Sequence, residues 1–274
     1  MSSVSSNEDG LGPLSRLKKY RRKKIKKYGK KLIYSLEKTL ARASLVENKP
    51  FAETAEFPQL LEIERNWEKI LDEVRVILQQ REAIPGFQEV SPDQHKLAID
   101  GNWRTFFLYG FGVPFAKNTS QAPFTSKVIA PTENLQTAWF SILAPGYHIP
   151  HHRGVTKGIL RYHLGLIIPK EFDKCRIRVG KEIRAWQQGK GFVIDDTFDH
   201  EVWNDTDEER VILIVDFDRP MKWWGRLINN TFLMLMRMTA FYQEPKKNMA
   251  IHEDRFEAAV NRANANMENL SERD

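Results

Sequence analysis

The spacing of apolar residues changes twice along the chain and divides it into three parts. Over 58–82, Leu60, Ile63, Trp67, Ile70, Leu71, Val74, Ile77 and Leu78 recur at steps of three and four, which places them on one face of a single amphipathic helix facing the core. Pro85-Gly86 and Ser91-Pro92-Asp93 then break the pattern. Over 103–218 the texture becomes short β-type runs between turns, at 105–109, 137–143, 159–168, 176–179, 191–194, 200–203 and 211–217. No helical period separates these runs, which argues against a parallel βαβ sheet and for antiparallel strands in a sandwich or jelly roll. After Pro220 the helical pattern returns. The stretch 223–242 is apolar and Met-rich but broken by Arg226, Asn229, Asn230 and Arg237, and the last thirty residues read as polar helix.

The expected fold class is therefore mainly β with flanking helices. The chain divides into a tail over 1–49, a main domain over 50–220 with a helical lead-in at 58–82 and a β core at about 103–218, and a C-terminal helical extension over 221–274. With 274 residues, of which 41% are hydrophobic, there is material for one sizeable core.

Charge changes the picture of the tail. Residues 16–31 hold 11 Lys or Arg, and Glu8 and Asp9 are the only acids in 1–31, so this segment carries +9. The whole chain is +6, which leaves about −3 (31 basic against 34 acidic) for residues 32–274. Residues 1–15 are rich in Ser, Gly and Asn and read as disordered. From Leu14 to about Leu45 a basic helical stretch follows, with Leu17, Tyr20, Ile25, Tyr28, Leu32 and Leu36 among the lysines. It is either a solvated tail or a helix lying on an anionic membrane surface. No nucleic-acid recognition motif accompanies the charge, so no nucleic-acid partner is expected. No run approaches the roughly 18 apolar residues of a spanning helix, and the N-terminus lacks the apolar core of a secretion signal. The lone Cys175 excludes an internal disulfide and fits a reducing compartment. The expected location is cytoplasmic, either free or peripheral on a membrane.

The candidate chemistry lies in the β region. Five of the seven histidines fall there between 148 and 200: His148, His151, His152, His163 and His200. Around the first three the text is Pro145-Gly146-Tyr147-His148-Ile149-Pro150-His151-His152-Arg153-Gly154, a turn-rich loop at the mouth of a β structure. Arg210 follows His200 by ten residues and opens the next strand run. An early His on a loop, a later His on a strand and an Arg ten residues beyond form the skeleton of an oxoglutarate dioxygenase. Neutral imidazoles suit Fe(II), and open positions accept a 2-oxo acid and O₂. A neighbouring Arg can clamp the distal carboxylate with two prongs. The usual triad adds a carboxylate two residues after the first His. Here that position is Gly154 after His152, or Arg153 after His151. Either iron has two protein ligands, or Asp195 or Asp196 approaches from beside His200.

Over about residues 100–220 the sequence resembles the aspartyl/asparaginyl β-hydroxylase family of Fe(II)- and 2-oxoglutarate-dependent dioxygenases. The matching text is Phe140-Ser141-Ile142-Leu143, Pro150 to Gly154, and Leu160-Arg161-Tyr162-His163-Leu164-Gly165-Leu166. It continues with Trp186-Gln187-Gln188-Gly189, Asp195-Asp196-Thr197, His200-Glu201-Val202-Trp203 and Arg210-Val211-Ile212-Leu213. The resemblance implies a double-stranded β-helix of the cupin-like jelly-roll type. It also implies His152 and His200 as iron ligands, with Arg210 and Ser141 on the distal carboxylate of 2-oxoglutarate. His163 would meet the carboxylate near the metal, Arg161 the substrate or co-substrate, and Asp196 a metal-bound water. Arg161 and His163, two apart on a strand, share a face on pattern alone.

Plainer readings stand beside these. Arg161 can be a surface cation, Ser141 polar filler, Trp139, Trp186 and Trp203 core, and His148 and His151 solvent-facing loop residues. His151 is the rival of His152 as a ligand. His95 and His252 lie outside the pattern.

The family acts on peptide Asp or Asn side chains, and also includes bacterial hydroxylases of lipid A and ornithine-lipid acyl chains. Phe57-Pro58-Gln59-Leu60 with Asn66-Trp67, and Asp216 to Met221 before a basic-aromatic extension, lean towards a lipid. The polybasic tail and the Trp223-Trp224 helix fit a peripheral membrane enzyme. Asp195-Asp196-Thr197 and His200-Glu201-Val202-Trp203 lean towards a peptide, so the substrate stays open at this stage. The alternatives of another class are a non-catalytic cupin-like binding module and an interaction protein working through its basic tail.

Overall fold

The computed structural model describes residues 35–98 and 101–271. The readings for residues 1–15 and for the basic stretch 16–31 lie outside them. Helix α1, over 35–43, leads in. The strands are β1 Phe51–Glu53, β2 Trp103–Gly110, β3 Val113–Pro114, β4 Leu135–Leu143, β5 His148–His152, β6 Ile159–Ile167, β7 Cys175–Val179, β8 Glu182–Ala185, β9 Gly191–Ile194, β10 His200–Asn204 and β11 Arg210–Asp218. Every ladder is antiparallel. They form a seven-stranded sheet, β1-β9-β6-β11-β4-β2-β3, and a four-stranded sheet, β5-β10-β7-β8. From β4 to β11 the chain crosses repeatedly between the two sheets, which is the jelly-roll winding expected from the sequence.

Alternation on the large sheet explains its two faces. Ala138, Phe140 and Ile142 of β4, Leu160, Tyr162 and Leu164 of β6, and Val211, Leu213 and Val215 of β11 join an outer core with the helices. The intervening residues face the small sheet, where Trp139, Phe192, Ile212 and Ile214 meet Ile149, Ile177, Val179 and Val202. A period of two separates the faces, so an apolar residue at every second position serves one core and frees the others for the interior. Arg161, His163, Ser141, Arg210 and Asp216 occupy these inward positions.

The outer face is covered by α2 Pro58–Arg65, α3 Trp67–Leu78 and α6 Pro123–Ile129, and α5 Ala116–Gln121 lies against β2. Helix α4 Phe87–Val90 packs instead on the inner cluster, where Phe87 stacks on Trp103. The single helix expected over 58–82 is two. Asn66 breaks it: its side-chain amide donates to the Glu62 carbonyl at 2.8 Å, and its backbone leaves the helical region at φ −100°, ψ 19°. Asn side chains compete in this way with helical backbone bonds. Leu60, Ile63, Ile70, Leu71, Val74 and Ile77 are nonetheless all in the outer core, and each buried aliphatic side chain contributes about 1.5–3 kcal/mol.

The segment read as a loop around His152 is the edge strand β5, another correction. Its sequence, HIPHH, has little strand propensity, and Pro150 is tolerated because β5 is at a sheet edge. Pairing with β10 creates the strand. The stretch 223–242 also divides, into α7 Trp223–Arg237 and the start of α8 Ala240–Ser271.

A buried ion cluster ties the ends of these elements together. The Asp195 carboxylate meets Lys157 Nζ at 2.6 Å and the Arg219 guanidinium. Arg219 Nε also donates to the Lys157 carbonyl at 2.8 Å. One cluster thus joins the exits of β9 and β11 to the β5–β6 loop. Loss of one partner would leave a buried charge uncompensated, so the cluster fixes where Asp196, the next residue, is held.

Candidate active site

The β5–β10 register sets His152 directly opposite His200, and their rings lie 4.1 Å apart between centroids. Each imidazole is oriented by the same local device. His152 Nδ1 donates to the Pro150 carbonyl at 2.8 Å, and His200 Nδ1 donates to the Phe198 carbonyl at 3.0 Å. A carbonyl only accepts, so both Nδ1 atoms carry the proton and both Nε2 lone pairs remain available. Burial, and for His200 the adjacent His152, lowers both basicities, that of His200 to about 3. His151, the rival ligand, points the other way: it is exposed and faces Asp199 at 3.3 Å. His148 is also exposed, against Glu201 at 3.1 Å.

His163 adopts the opposite tautomer. Trp186 Nε1, which can only donate, bonds to His163 Nδ1 at 3.3 Å. The His163 proton therefore sits on Nε2, and that buried N–H has no partner. Burial, followed by the nearby Arg161 and Arg210 charges, holds this ring neutral. Two imidazoles thus offer lone pairs to a cation, while the third offers a proton to an anion.

Arg210 is 1% exposed. One terminal nitrogen donates to Ser141 Oγ at 3.1 Å, its Nε has no partner, and its plane lies over Trp186 at 4.8 Å. Among the described residues no Asp or Glu hydrogen-bonds it, and burial lowers its pKa to about 10. Ser141 Oγ also accepts from Trp103 Nε1 at 3.0 Å, which leaves its own proton to be donated. The Thr105 hydroxyl, opposite Ser141 in the β2–β4 ladder, is buried without a partner as well. A buried guanidinium without a counter-charge is costly, so this arrangement fits a carboxylate ligand.

Arg161 differs. Asp216, its ladder partner, takes both prongs, at 2.7 Å and 3.0 Å, and Asp196 stands 3.5 Å away. Burial pushes the Asp196 carboxyl up to about 6. Gly154 N donates to the Asp196 carbonyl at 2.7 Å, and a Cβ at Gly154 would collide with the Asp196 carboxylate. The space where the usual triad carboxylate would begin is filled from β9 instead. Among the described residues no group of three His, Cys, Asp or Glu side chains is placed to hold one ion. The donor set, two neutral imidazoles beside a site for a dicarboxylate, fits a divalent metal with open positions.

A cavity of about 240 Å³ adjoins His152. Arg161, Asp196 and Asp216 make one polar part of its wall. The rest is largely apolar: Trp103, Phe107 and Trp139 from the large sheet, Phe87 and Val90 from α4, Leu233 and Met236 from α7, and Pro245 and Met249 from α8.

Residues 64–220 match the family model described as aspartyl/asparaginyl beta-hydroxylase. The chain belongs to the aspartyl/asparaginyl β-hydroxylase family. Among its relatives, the ornithine lipid ester-linked acyl 2-hydroxylase of Rhizobium tropici is 41% identical over 211 residues, covering 77% of this chain and 75% of that protein. The aspartyl/asparaginyl beta-hydroxylase of Homo sapiens is 35% identical over 163 residues. That match covers 58% of this chain but only 21% of the human protein. Among solved structures, the collagen prolyl hydroxylase of Paramecium Bursaria Chlorella virus-1, a 2OG complex, is 12% identical, with a TM-score of 0.31 over 43% of this chain and 78% of that one. Likeness at that level carries no argument about chemistry. Family membership and the hydroxylase names of the relatives support an enzyme built on the two-sheet jelly roll described above.

Within this β-hydroxylase fold, the structure brings Ser141, His163 and Arg210 together in the interior and His152 and His200 at its rim, with Arg161 and Asp196 along the cavity. Sequence reasoning gave no site role to Thr105 or Asp216 and missed the Trp186 bond to His163. Strand alternation could have found Thr105, two positions from Trp103 on the same face. Nothing in the sequence marks Asp216 as the partner of Arg161, because that pairing needs the β6–β11 register.

The imidazole environment makes a pH prediction. Two ordinary imidazoles would lose more than about tenfold in metal affinity between pH 8 and 6 through proton competition. Burial lowers the basicity of both rings, that of His200 to about 3, so calorimetry should show divalent-metal affinity falling by clearly less than that. A tenfold fall would contradict this picture.

Proposed function

We propose that the protein is an Fe(II)- and 2-oxoglutarate-dependent hydroxylase acting on a fatty acyl chain of a membrane lipid. The observation that carries the co-substrate reading is the buried, anion-less Arg210 with its unpartnered Nε. Bound iron and 2-oxoglutarate would supply the oxidising chemistry that puts one atom of O₂ into a C–H bond and the other into succinate, with loss of CO₂. His152 and His200 would hold the metal through Nε2. Arg210 and Ser141 would hold the distal carboxylate, and the His163 N–H would donate to the carboxylate nearer the metal. Asp196, oriented by Gly154 and the Asp195 cluster, would accept a hydrogen bond from water at the metal.

Two observations favour an acyl chain over a peptide Asp or Asn. The cavity wall is mostly aromatic and aliphatic, and desolvating a carboxylate there without a counter-charge is unfavourable. Among the described residues the Lys and Arg side chains in its wall are Arg153, at the rim, and Arg161, whose prongs Asp216 already occupies. The 41% identity to a lipid acyl hydroxylase supports the same reading. Among the described residues no helix is long and apolar enough to cross a membrane, and attraction of residues 16–31 to an anionic surface would bring the enzyme to its substrate.

Arg210→Lys keeps the charge but loses the fork, so 2-oxoglutarate affinity should fall about tenfold or more in calorimetry. An unchanged constant would move the clamp elsewhere. Mass spectrometry of lipids and tryptic peptides from cells with and without the gene should find a gain of one oxygen on an acyl chain. The same gain confined to peptide Asp or Asn would reject the lipid reading.

A further inference from the structure

Helix α7 has two unlike sides. Gly225, Asn229 and Leu233 are buried: Gly225 packs closely on Ala43 of α1, and the Asn229 side chain fills the space a Cβ at Gly158 would take. On the other side Trp223 is 76%, Leu227 61%, Met234 56% and Met238 76% exposed. At 3.6 residues per turn these four fall within one narrow stripe along the helix. Asn230 and Thr231, also exposed, interrupt the stripe between Leu227 and Met234, but four large apolar side chains clustered on one helix face are the kind of exposure that marks a docking site.

Charge identifies the partner. Residues 222–238 contain no Asp or Glu, while Lys222, Arg226 and Arg237 are all exposed. An apolar stripe flanked by cations is the pattern of a helix lying in the interface of an anionic bilayer. The N-terminal end of α7 adds to this. Leu40 and Ala43 of α1 pack with Met221, beside Trp224 and Ile228. The run of 11 Lys or Arg ends at Lys31, four residues before Ser35, which is a chain reach of at most about 14 Å. In sequence, the run of positive charge thus ends four residues from α1, the helix packed on the start of α7. Leu233 and Met236 of the same helix line the cavity next to His152.

We propose that the Trp223, Leu227, Met234 and Met238 face of α7 docks on an anionic lipid surface, presenting the cavity to it. That the cavity takes an acyl chain rests on the function proposed above; the docking itself does not.

The test uses the full-length protein and vesicles of phosphatidylglycerol with phosphatidylcholine, against phosphatidylcholine alone. Leu227→Glu combined with Met234→Glu should cut sedimentation with the anionic vesicles about tenfold or more, while 2-oxoglutarate binding stays at the wild-type value. As a second readout, Leu227→Cys introduces an exposed thiol beside the single, buried Cys175. An environment-sensitive dye placed there should brighten with anionic vesicles, and one at Val76→Cys on α3 should not. Unchanged sedimentation of the double variant would overturn the proposal and leave binding to the basic segment alone. A stable dimer that the same substitutions dissociate, without vesicle binding, would overturn it in favour of a second copy. Docking as predicted, with oxygen gained only on peptides, would uphold the surface and reject the lipid substrate.

Discussion

In the observed register His152 faces His200 across β5 and β10, and a slip of one residue would turn His152 outward and bring His151 in. Strand pairing has this all-or-none property because successive side chains alternate faces. The β5 sequence is too polar and too interrupted by Pro150 to set its own register. β10, held on its other side by β7, sets it. The Asp195 cluster, one residue from Asp196, pins the loops that enter and leave this pair. The geometry of the His152–His200 pair therefore depends on an edge strand fixed by its neighbours.

Three deeply placed arginines show how the same group takes different roles in one fold. Arg219 is satisfied by Asp195 and a carbonyl, so it is structural. Arg161 is satisfied by Asp216, so it shapes the cavity wall without offering a free charge. Arg210 alone of the three has no acidic side chain hydrogen-bonded to it among the described residues, with Glu209 acting only through its charge, and a buried cation of that kind is stable only with a ligand or at a cost to the apoprotein. The tautomers follow the same logic, since carbonyl acceptors leave His152 and His200 with lone pairs and the Trp186 donor leaves His163 with a proton.

Much of this was legible in the sequence. The seven β runs of the core fall on observed strands, because each alternates or concentrates residues that a buried sheet requires. The ordered motifs around His152, His163, His200 and Arg210 marked the positions that the fold brings together. Strands β1, β3, β5 and β8 were not legible: they are short or polar and exist by pairing rather than by propensity. The break at Asn66 depends on one side chain competing for one carbonyl. The Arg161–Asp216 pair, which bears on the choice of substrate, lies 55 residues apart in sequence and becomes visible only once β6 and β11 are in register.

The central claim is that His152 and His200 hold iron beside a 2-oxo acid clamped by Arg210. Visible absorption of the anaerobic protein titrated with Fe(II) and 2-oxoglutarate tests it most directly. A weak charge-transfer band that needs both additions is expected, lost in His200→Ala and retained in His151→Ala. No band in the unaltered protein, or one that survives His200→Ala and disappears in His151→Ala, would contradict the account.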